Sequence, residues 1–459
     1  MSRLSGGRSR RERTRPLTRN CPPACGAHLA WSAPLVALAA IGCILGLAAA
    51  ACSGGGGAGA SSRPNAGSGA GKTAIPGQAL LSITPASGSA NVNPAQGITV
   101  TAAQGKISGV SVTTSGAPVS GTMNAARTAW HSTWALNVSQ SYTVTARARG
   151  TSGQVVTRTS TFRTLTPAQT FRTQILEGQG QTYGVGMPII LYFDHEITNK
   201  AAVERALQIT TSKPVVGSWH WDDPCNMATV CLYFRPRSYW PAHTQVSFTG
   251  HLNGVEAAPG VYGVHTLTQS FSIGDSLIVV ASTATHHMDL YRNGNLFARW
   301  PISSGRPGDD TPNGTYLTLD KGNPVIMKGP GYRIPVPWSV RFTWSGDYLH
   351  DAYWSVGQQG FQNVSHGCVN MPPADAQIYY KMEVPGDPVT ITGSPRPGAW
   401  DNGWTMWFLP WSRYLQGSAL NEAVEAGPDG STFVSPSQVP ASTATSPLGA
   451  PDPGNWAAS

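Results

Sequence analysis

Three stretches of short, alternating hydrophobic segments follow one another along this chain, and one unbroken apolar run precedes them. From Leu80 to Thr164, segments such as Gly97-Ile-Thr-Val-Thr101, Val110-Ser-Val-Thr113 and Tyr142-Thr-Val-Thr-Ala146 alternate apolar and polar residues, with Gly, Pro and Asn between them. A period of two puts one face of a strand on a core and the other in water, and so predicts β-structure. The pattern returns between Gln169 and Ile273, in Pro188-Ile-Ile-Leu-Tyr-Phe193, Cys231-Leu-Tyr-Phe234 and Gln245-Val-Ser-Phe248. Strands at this spacing predict two small β-sandwiches, immunoglobulin-like in architecture, over 78–165 and 166–273. Neither holds a cluster of titratable residues, so a spacer or scaffold role is expected of both.

The third stretch, 274–394, opens with Leu277-Ile-Val-Val-Ala281 and Met288-Asp-Leu-Tyr-Arg-Asn-Gly-Asn-Leu-Phe297. Asn-Gly between alternating segments predicts a tight hairpin. More strands follow up to Val389-Thr-Ile-Thr392, with one helix expected from Pro373 to Met382. Residues 395–417 carry Trp400, Trp404, Trp407 and Trp411. An exposed cluster of tryptophans would be unfavourable, so this segment is expected to pack back onto the third unit. The Ser-, Pro- and Ala-rich stretch 418–459 is expected to be disordered.

The apolar run, Leu29 to Ala51, follows an Arg-rich start. The formal charge of +8 changes meaning here: residues 1–51 hold seven arginines against Glu12, a net +6, which leaves +2 for the rest. No basic block remains that could follow a phosphate backbone, so nucleic acid is excluded as a partner. Basic residues before an apolar run read as a secretion signal or membrane anchor. The run ends in small residues before Cys52, then Ser53 and four glycines, like a bacterial lipoprotein processing site, although Ala49 stands where leucine is usual. Lipidation at Cys52, an uncleaved anchor in 1–51 and simple cleavage all remain open. Each places the rest of the chain outside the membrane, in the bacterial envelope, beyond a flexible Gly/Ala/Ser linker over 52–77.

Cysteine usage agrees. Cys225 and Cys231 flank a short segment that can turn the chain back, and a disulfide is the expected reading in an oxidising compartment. Two thiols with His220 match no common zinc spacing, so no metal is expected. Cys368 is then left without a partner. A lone cysteine in an apolar segment is usually inert, and a lone histidine usually structural. His286 and His287 are read that way, as structural histidines without partners.

Cys368 is not alone, however. Tyr348-Leu-His350-Asp351 is followed by Ser365-His366-Gly367-Cys368-Val369-Asn370, with fourteen residues, 351–364, between His350 and Ser365. A thiol nucleophile needs an adjacent imidazole to ionise it, a tight turn to expose it, and main-chain N–H groups to hold an oxyanion. His, Gly, Cys and Asn supply these, and point to a cysteine acyltransferase.

The spacing of His350 from Ser-His-Gly-Cys-Val-Asn resembles the signature of the L,D-transpeptidases, the YkuD-type catalytic domain. The similarity extends to Thr311-Pro-Asn-Gly-Thr-Tyr316, Tyr332 to Trp338, Tyr353-Trp-Ser-Val-Gly-Gln-Gln-Gly360 and Pro385-Gly-Asp387. Upstream, Phe234-Arg-Pro-Arg-Ser-Tyr-Trp-Pro241 and Phe271-Ser-Ile-Gly-Asp275 resemble the Ig-like domain of longer members. The resemblance implies a mainly β fold: two Ig-like sandwiches, then a β-rich catalytic domain with a short helix and a Trp-rich C-terminal segment. It implies Cys368 as nucleophile and His350 as its base, oriented by the main-chain carbonyl of Asp351. Asp351 stands where serine is frequent, and its carboxylate, if it acts, would raise the imidazole pKa. His366, Gly367 and Asn370 would shape the loop, with Gly367 and Cys368 N–H groups as oxyanion donors. Tyr332 and Met327 would lie on a flap over the cleft, and Ser365 and Trp354 would contact substrate. The implied substrates are peptidoglycan stem peptides as acyl donor and acceptor, joined between third-position residues, with covalent inhibition by carbapenems and no cofactor. An L,D-carboxypeptidase and a non-catalytic wall-binding scaffold are the alternatives.

Overall fold

The computed structural model describes residues 76–439, apart from Asn226 and Pro330. The apolar run, Cys52, most of the linker and residues 440–459 lie outside the described residues.

Residues 80–163 form two sheets around one core. One orders Leu80–Thr84, Thr99–Ala103, Ala129–Ser132 and Gly121–Met123; the other orders Gly105–Thr113, Ser141–Gly150 and Val155–Arg163. Alternation drives the burial: Tyr142, Val144, Ala146 and Ala148 of one strand are all buried, and the residues between them are not. The Tyr142 hydroxyl accepts the Asn137 N–H at 2.8 Å, the tyrosine corner of Ig-like sandwiches.

The second sandwich pairs a sheet of Thr182–Tyr183, Leu267–Ile273, Gln245–Gly250 and Leu207–Thr211 with a six-stranded one. Val215–Asp222, Val230–Pro236, Ile189–Phe193 and Thr173–Ile175 make four of those six. The other two, Ala423–Gly427 and Gly430–Val434, come from the far end of the chain. This corrects the expectation of disorder from 418. Ala423, Val424 and Ala426 are buried, and Val215 pairs with Ala426. Small residues in a five-residue strand carry too little hydrophobic contrast to stand out from a Ser/Ala-rich tail. The return is anchored by Glu204, whose buried carboxylate accepts from Ser418 Oγ at 2.7 Å, Ala419 N at 2.6 Å and Trp221 Nε1 at 2.6 Å. Where the sandwiches meet, Asn253 Oδ1 accepts the Val138 N–H at 3.2 Å and Trp134 stacks on His251 at 3.9 Å.

The third unit has two sheets. The first orders Asn295–Pro301, His287–Arg292, Leu277–Ser282, Pro388–Thr392 and Gly314–Leu317. Its first hairpin turns through Asn293 and Gly294, both at positive φ, as the Asn-Gly pair predicted. The second orders Lys321–Gly322, Ser339–Arg341, Tyr348–Asp351 and Val369–Met371, with the helix Pro373–Met382 packed against it. A separate hairpin, Val325–Gly329 with Tyr332–Val336, is the segment expected to serve as the flap.

The Trp-rich segment packs against the third unit through Phe408 on Tyr316, as expected, and it also grips the second sandwich. Trp407 Nε1 donates to Gly186 O at 2.8 Å, and the buried Arg235 guanidinium lies 4.3 Å from the Trp407 ring and 4.2 Å from that of Tyr414.

Candidate active site

The strand Tyr348–Asp351 runs parallel to Val369–Met371, with Leu349 opposite Val369, His350 opposite Asn370 and Asp351 opposite Met371. Leu349, Val369 and Met371 are core residues, so alternation turns His350 and Asn370 together toward the other face. Cys368 immediately precedes the second strand and is held beside the first: the Tyr348 N–H faces its sulfur. Two residues far apart in the helical or hairpin sense are thus brought to one sheet edge by a parallel register.

His350 Nδ1 lies 2.8 Å from the Asp351 carbonyl. A carbonyl only accepts, so Nδ1 carries the proton and Nε2 keeps its lone pair. Burial pushes the imidazole down to about 4, and the bond to the Asp351 carbonyl opposes this. The Asp351 carboxylate does not raise the imidazole. Alternation turns that side chain to the opposite face, where it is buried and itself raised by burial, with its Oδ1 unpartnered among the described residues.

Cys368 keeps partial exposure as a residue, and its thiol is pushed up to about 12, first by burial and then by the nearby Asp347 charge, against the Tyr348 N–H. Its Sγ donates to Gly346 O at 3.8 Å. Both shifts favour the uncharged pair, thiol and neutral imidazole, over the ionised thiol that the sequence calls for.

The turn that carries Cys368 is cross-braced. Ser365 Oγ donates to Cys368 O at 2.6 Å and accepts the Gly367 N–H at 3.1 Å. The expectation that Gly367 supplies an oxyanion donor is thereby corrected, because its N–H is already engaged. Thr311 Oγ1 donates to Gly367 O at 2.6 Å and accepts the Gly305 N–H at 2.9 Å. Gly367 sits at φ +129°, the left-handed region that suits only glycine. Asn370 Nδ2 donates to Ser355 Oγ at 2.9 Å, tying the second strand to the turn that carries Trp354.

Around this centre, Trp354 stacks near His350 with ring centres 5.9 Å apart, and Tyr353 meets Trp354 edge-on at 5.0 Å. Tyr332 of the flap approaches His366 at 5.3 Å. Met327 lies further along the flap, opposite Ile334, and is half-buried. The structure thus gathers His350, Asp351, Cys368, His366, Gly367, Ser365, Asn370, Trp354 and Tyr332. Cys225 and Cys231 sit apart in the second sandwich, disulfide-bonded with Cα atoms 5.8 Å apart. His286, expected to lack a partner, bonds to Asn363 Oδ1 at 2.9 Å.

Four residues escaped the sequence reading: Thr311, Ser355, Gly346 and Asp347. Thr311 and Ser355 lie inside stretches singled out there, but a hydroxyl that braces main chain leaves no periodic trace. Asp347 and Gly346 adjoin the His350 strand and gave no separate sign.

With two β-sandwiches leading to a mixed-sheet unit that joins a histidine and a cysteine, the chain has the form of an acyl-transfer enzyme. Residues 89–256 match the bacterial Ig domain family, and residues 276–391 match the L,D-transpeptidase catalytic domain family. The chain is 33% identical over 336 residues to L,D-transpeptidase 2 of Mycobacterium tuberculosis, covering 70% of this chain and 80% of that protein. It is 34% identical over 350 residues to L,D-transpeptidase 5 of the same organism, covering 74% and 77%. The crystal structure of L,D-transpeptidase 3 from Mycobacterium tuberculosis in complex with a faropenem-derived adduct matches at 30% identity and a TM-score of 0.39, over 48% of this chain and 97% of that one. The chain belongs to the L,D-transpeptidase family.

Proposed function

We propose that the protein is a peptidoglycan L,D-transpeptidase that works through a thioester on Cys368. The observation that carries this reading is the bond from His350 Nδ1 to the Asp351 carbonyl, which leaves Nε2 free to accept a proton on the face shared with Asn370. In the first half-reaction Cys368 Sγ attacks the carbonyl of the third residue of a stem tetrapeptide as its proton passes to His350 Nε2. The carbonyl π pair moves to oxygen, and the Cys368 N–H is assigned as a donor to that oxyanion. When the tetrahedral adduct collapses, the C–N bond breaks, His350 returns the proton to the leaving amine, and D-Ala departs. In the second half-reaction an amine from a neighbouring stem attacks the thioester. His350 takes its proton, the thiol leaves, and two third-position residues are joined.

The neutral resting pair suits this course, because a neutral imidazole can accept a proton and an imidazolium cannot. A carbapenem presents a strained lactam carbonyl to the same thiol, so covalent inhibition at Cys368 belongs to this reading. The disulfide between Cys225 and Cys231 supports an oxidising location. We place the enzyme on the outer face of the membrane, held by lipid at Cys52. Labelling of cells with a fatty-acid analogue is expected to mark the chain, and the Cys52→Ser variant to lose the label; a label that persists contradicts lipidation there.

The test of function is mass spectrometry of 53–459 protein incubated with disaccharide-tetrapeptide, beside Cys368→Ala. A cross-linked dimer lacking one D-Ala, absent from the variant, is expected. Tripeptide without dimer would make the enzyme an L,D-carboxypeptidase, and product from the variant would remove Cys368 from the mechanism.

A further inference from the structure

Behind the Gly367–Cys368 bond lies a carboxylate to which this reaction gives no part. Asp347 closes the turn 343–347 that leads into the strand of His350, and it is 7% exposed. Its Oδ2 accepts from Thr343 Oγ1 at 2.7 Å and Ser345 Oγ at 3.1 Å, and its own N–H donates to Thr343 Oγ1 at 2.8 Å. Its Oδ1 reaches the cysteine turn: a methyl group added at Gly367 would lie 2.5 Å from it. The same turn presents the Gly346 carbonyl to Cys368 Sγ. Asn402, from the Trp-rich segment, grips the turn from outside. Its Oδ1 accepts the Ser345 N–H at 2.8 Å, and its Nδ2 donates to Ser345 Oγ at 3.0 Å.

A brace for a turn does not require a carboxylate. An asparagine would accept both hydroxyl bonds through its oxygen and would avoid the cost of burying a charge. What the carboxylate adds is a negative potential at the sulfur. A thiol can donate to the Gly346 carbonyl, whereas a thiolate would keep the Tyr348 N–H but would also meet a carbonyl oxygen and a carboxylate, both repulsive.

We propose that Asp347 is a positioning residue of the acyl transfer, which holds Cys368 as a protonated thiol on the Gly346 carbonyl until an acyl donor arrives, with Asn402 fixing the turn. The proposal rests on Cys368 being the nucleophile. The thiol proton then passes to His350 Nε2 only as the S–C bond forms, so no free thiolate waits for oxidants or unselective electrophiles. The other titratable groups around the sulfur are Tyr348 and His350 from the adjoining strand, Tyr332 from the flap, His366 from its own turn and Asp309 from the loop before Thr311. The direction of the thiol shift agrees, since the Asp347 charge is its second cause after burial.

The test is iodoacetamide alkylation of the purified full-length chain from pH 6 to 10, followed on the peptide that contains Cys368. This readout needs no peptidoglycan substrate. Asp347→Asn keeps the hydroxyl bonds and removes the charge. It is expected to alkylate faster at pH 7.5, by about tenfold for each unit that the thiol pKa falls. Asn402→Ala leaves the charge but frees the turn, and it is expected to lower kcat for transfer with KM unchanged and to raise the alkylation rate. Alkylation profiles identical to the parent in both variants, with unchanged thermal stability, would overturn the proposal. Transfer activity surviving in Cys368→Ala would instead overturn the reading beneath it.

Discussion

Three residues of the site carry consequences that can be measured separately. His350 is held neutral by burial, so its folded pKa of about 4 lies below the unfolded value near 6.5. A depressed basic group contributes stability that is present above the unfolded pKa and is lost as pH falls toward the folded one. Between pH 7 and pH 5 this costs about 2 kcal/mol, and the loss of unfolding free energy over that range, read by denaturant unfolding, should be smaller by that amount in His350→Gln than in the parent. The rate of acylation should fall only as pH drops through about 4, with no ionisation step near neutrality. At Gly367 a β-carbon meets Asp347 Oδ1 at 2.5 Å on a backbone of φ +129°. Gly367→Ala should therefore lose about 1–3 kcal/mol and most of kcat, read by thermal melting and by the transfer assay. Thr311→Val removes a buried hydroxyl that serves Gly367 O and Gly305 N, and should cost about 1–3 kcal/mol of unfolding free energy. At this scale the sequence singled out His350 and Cys368, because the chemistry they offer is in their side chains. It was silent on Thr311 and Ser355, whose task is to hold main chain, and it called for an ionised thiol, whereas burial that only the fold creates pushes the thiol the other way.

The elements were legible in proportion to their contrast. Long strands such as Ser141–Gly150 announce themselves by alternation, and the Asn293-Gly294 turn by its chemistry. The hairpin 423–434 did not, because Ala-Val-Glu-Ala offers little contrast and its core partners, Val215 and Gly217, lie some two hundred residues upstream. Its removal is a test of its weight: a chain ending at 417 leaves Val215–Asp222 as an unpaired edge and strips Glu204 of Ser418 and Ala419. A fall of several degrees in melting temperature is expected, with the loss seated in the second sandwich. An unchanged melting temperature would show the hairpin to be ornamental. In the same sandwich, burial raises the Glu177 carboxyl to about 8 and leaves its Oε1 unpartnered among the described residues. A raised acid contributes stability that is fully present below its unfolded pKa and lost as pH rises through its folded one. Glu177→Gln should accordingly remove a decline in stability toward pH 8, seen in denaturant unfolding across that range.

On the scale of the whole molecule, the catalytic unit and the second sandwich are interlocked. Trp407 and Tyr414 close over Arg235, and the last described strands complete a sheet begun two hundred residues earlier. The sequence suggested two equivalent spacers, and the structure distinguishes them: the second shares a core with the catalytic unit, while the first meets the second through a smaller joint at Trp134 and Asn253. Deleting 78–165 should leave transfer by the purified protein near the parental rate and reduce cross-linking in cells, if the first sandwich sets the distance of the site from the membrane. Unchanged cross-linking in cells would contradict that role. All of this presupposes an acyl group carried on Cys368, and that can be seen directly. Protein incubated with a tetrapeptide donor and no acceptor should gain the mass of the tripeptide acyl group, mapped to Cys368, released by hydroxylamine and absent from Cys368→Ala. An adduct on another residue, or the same mass gain in Cys368→Ala, would contradict the account.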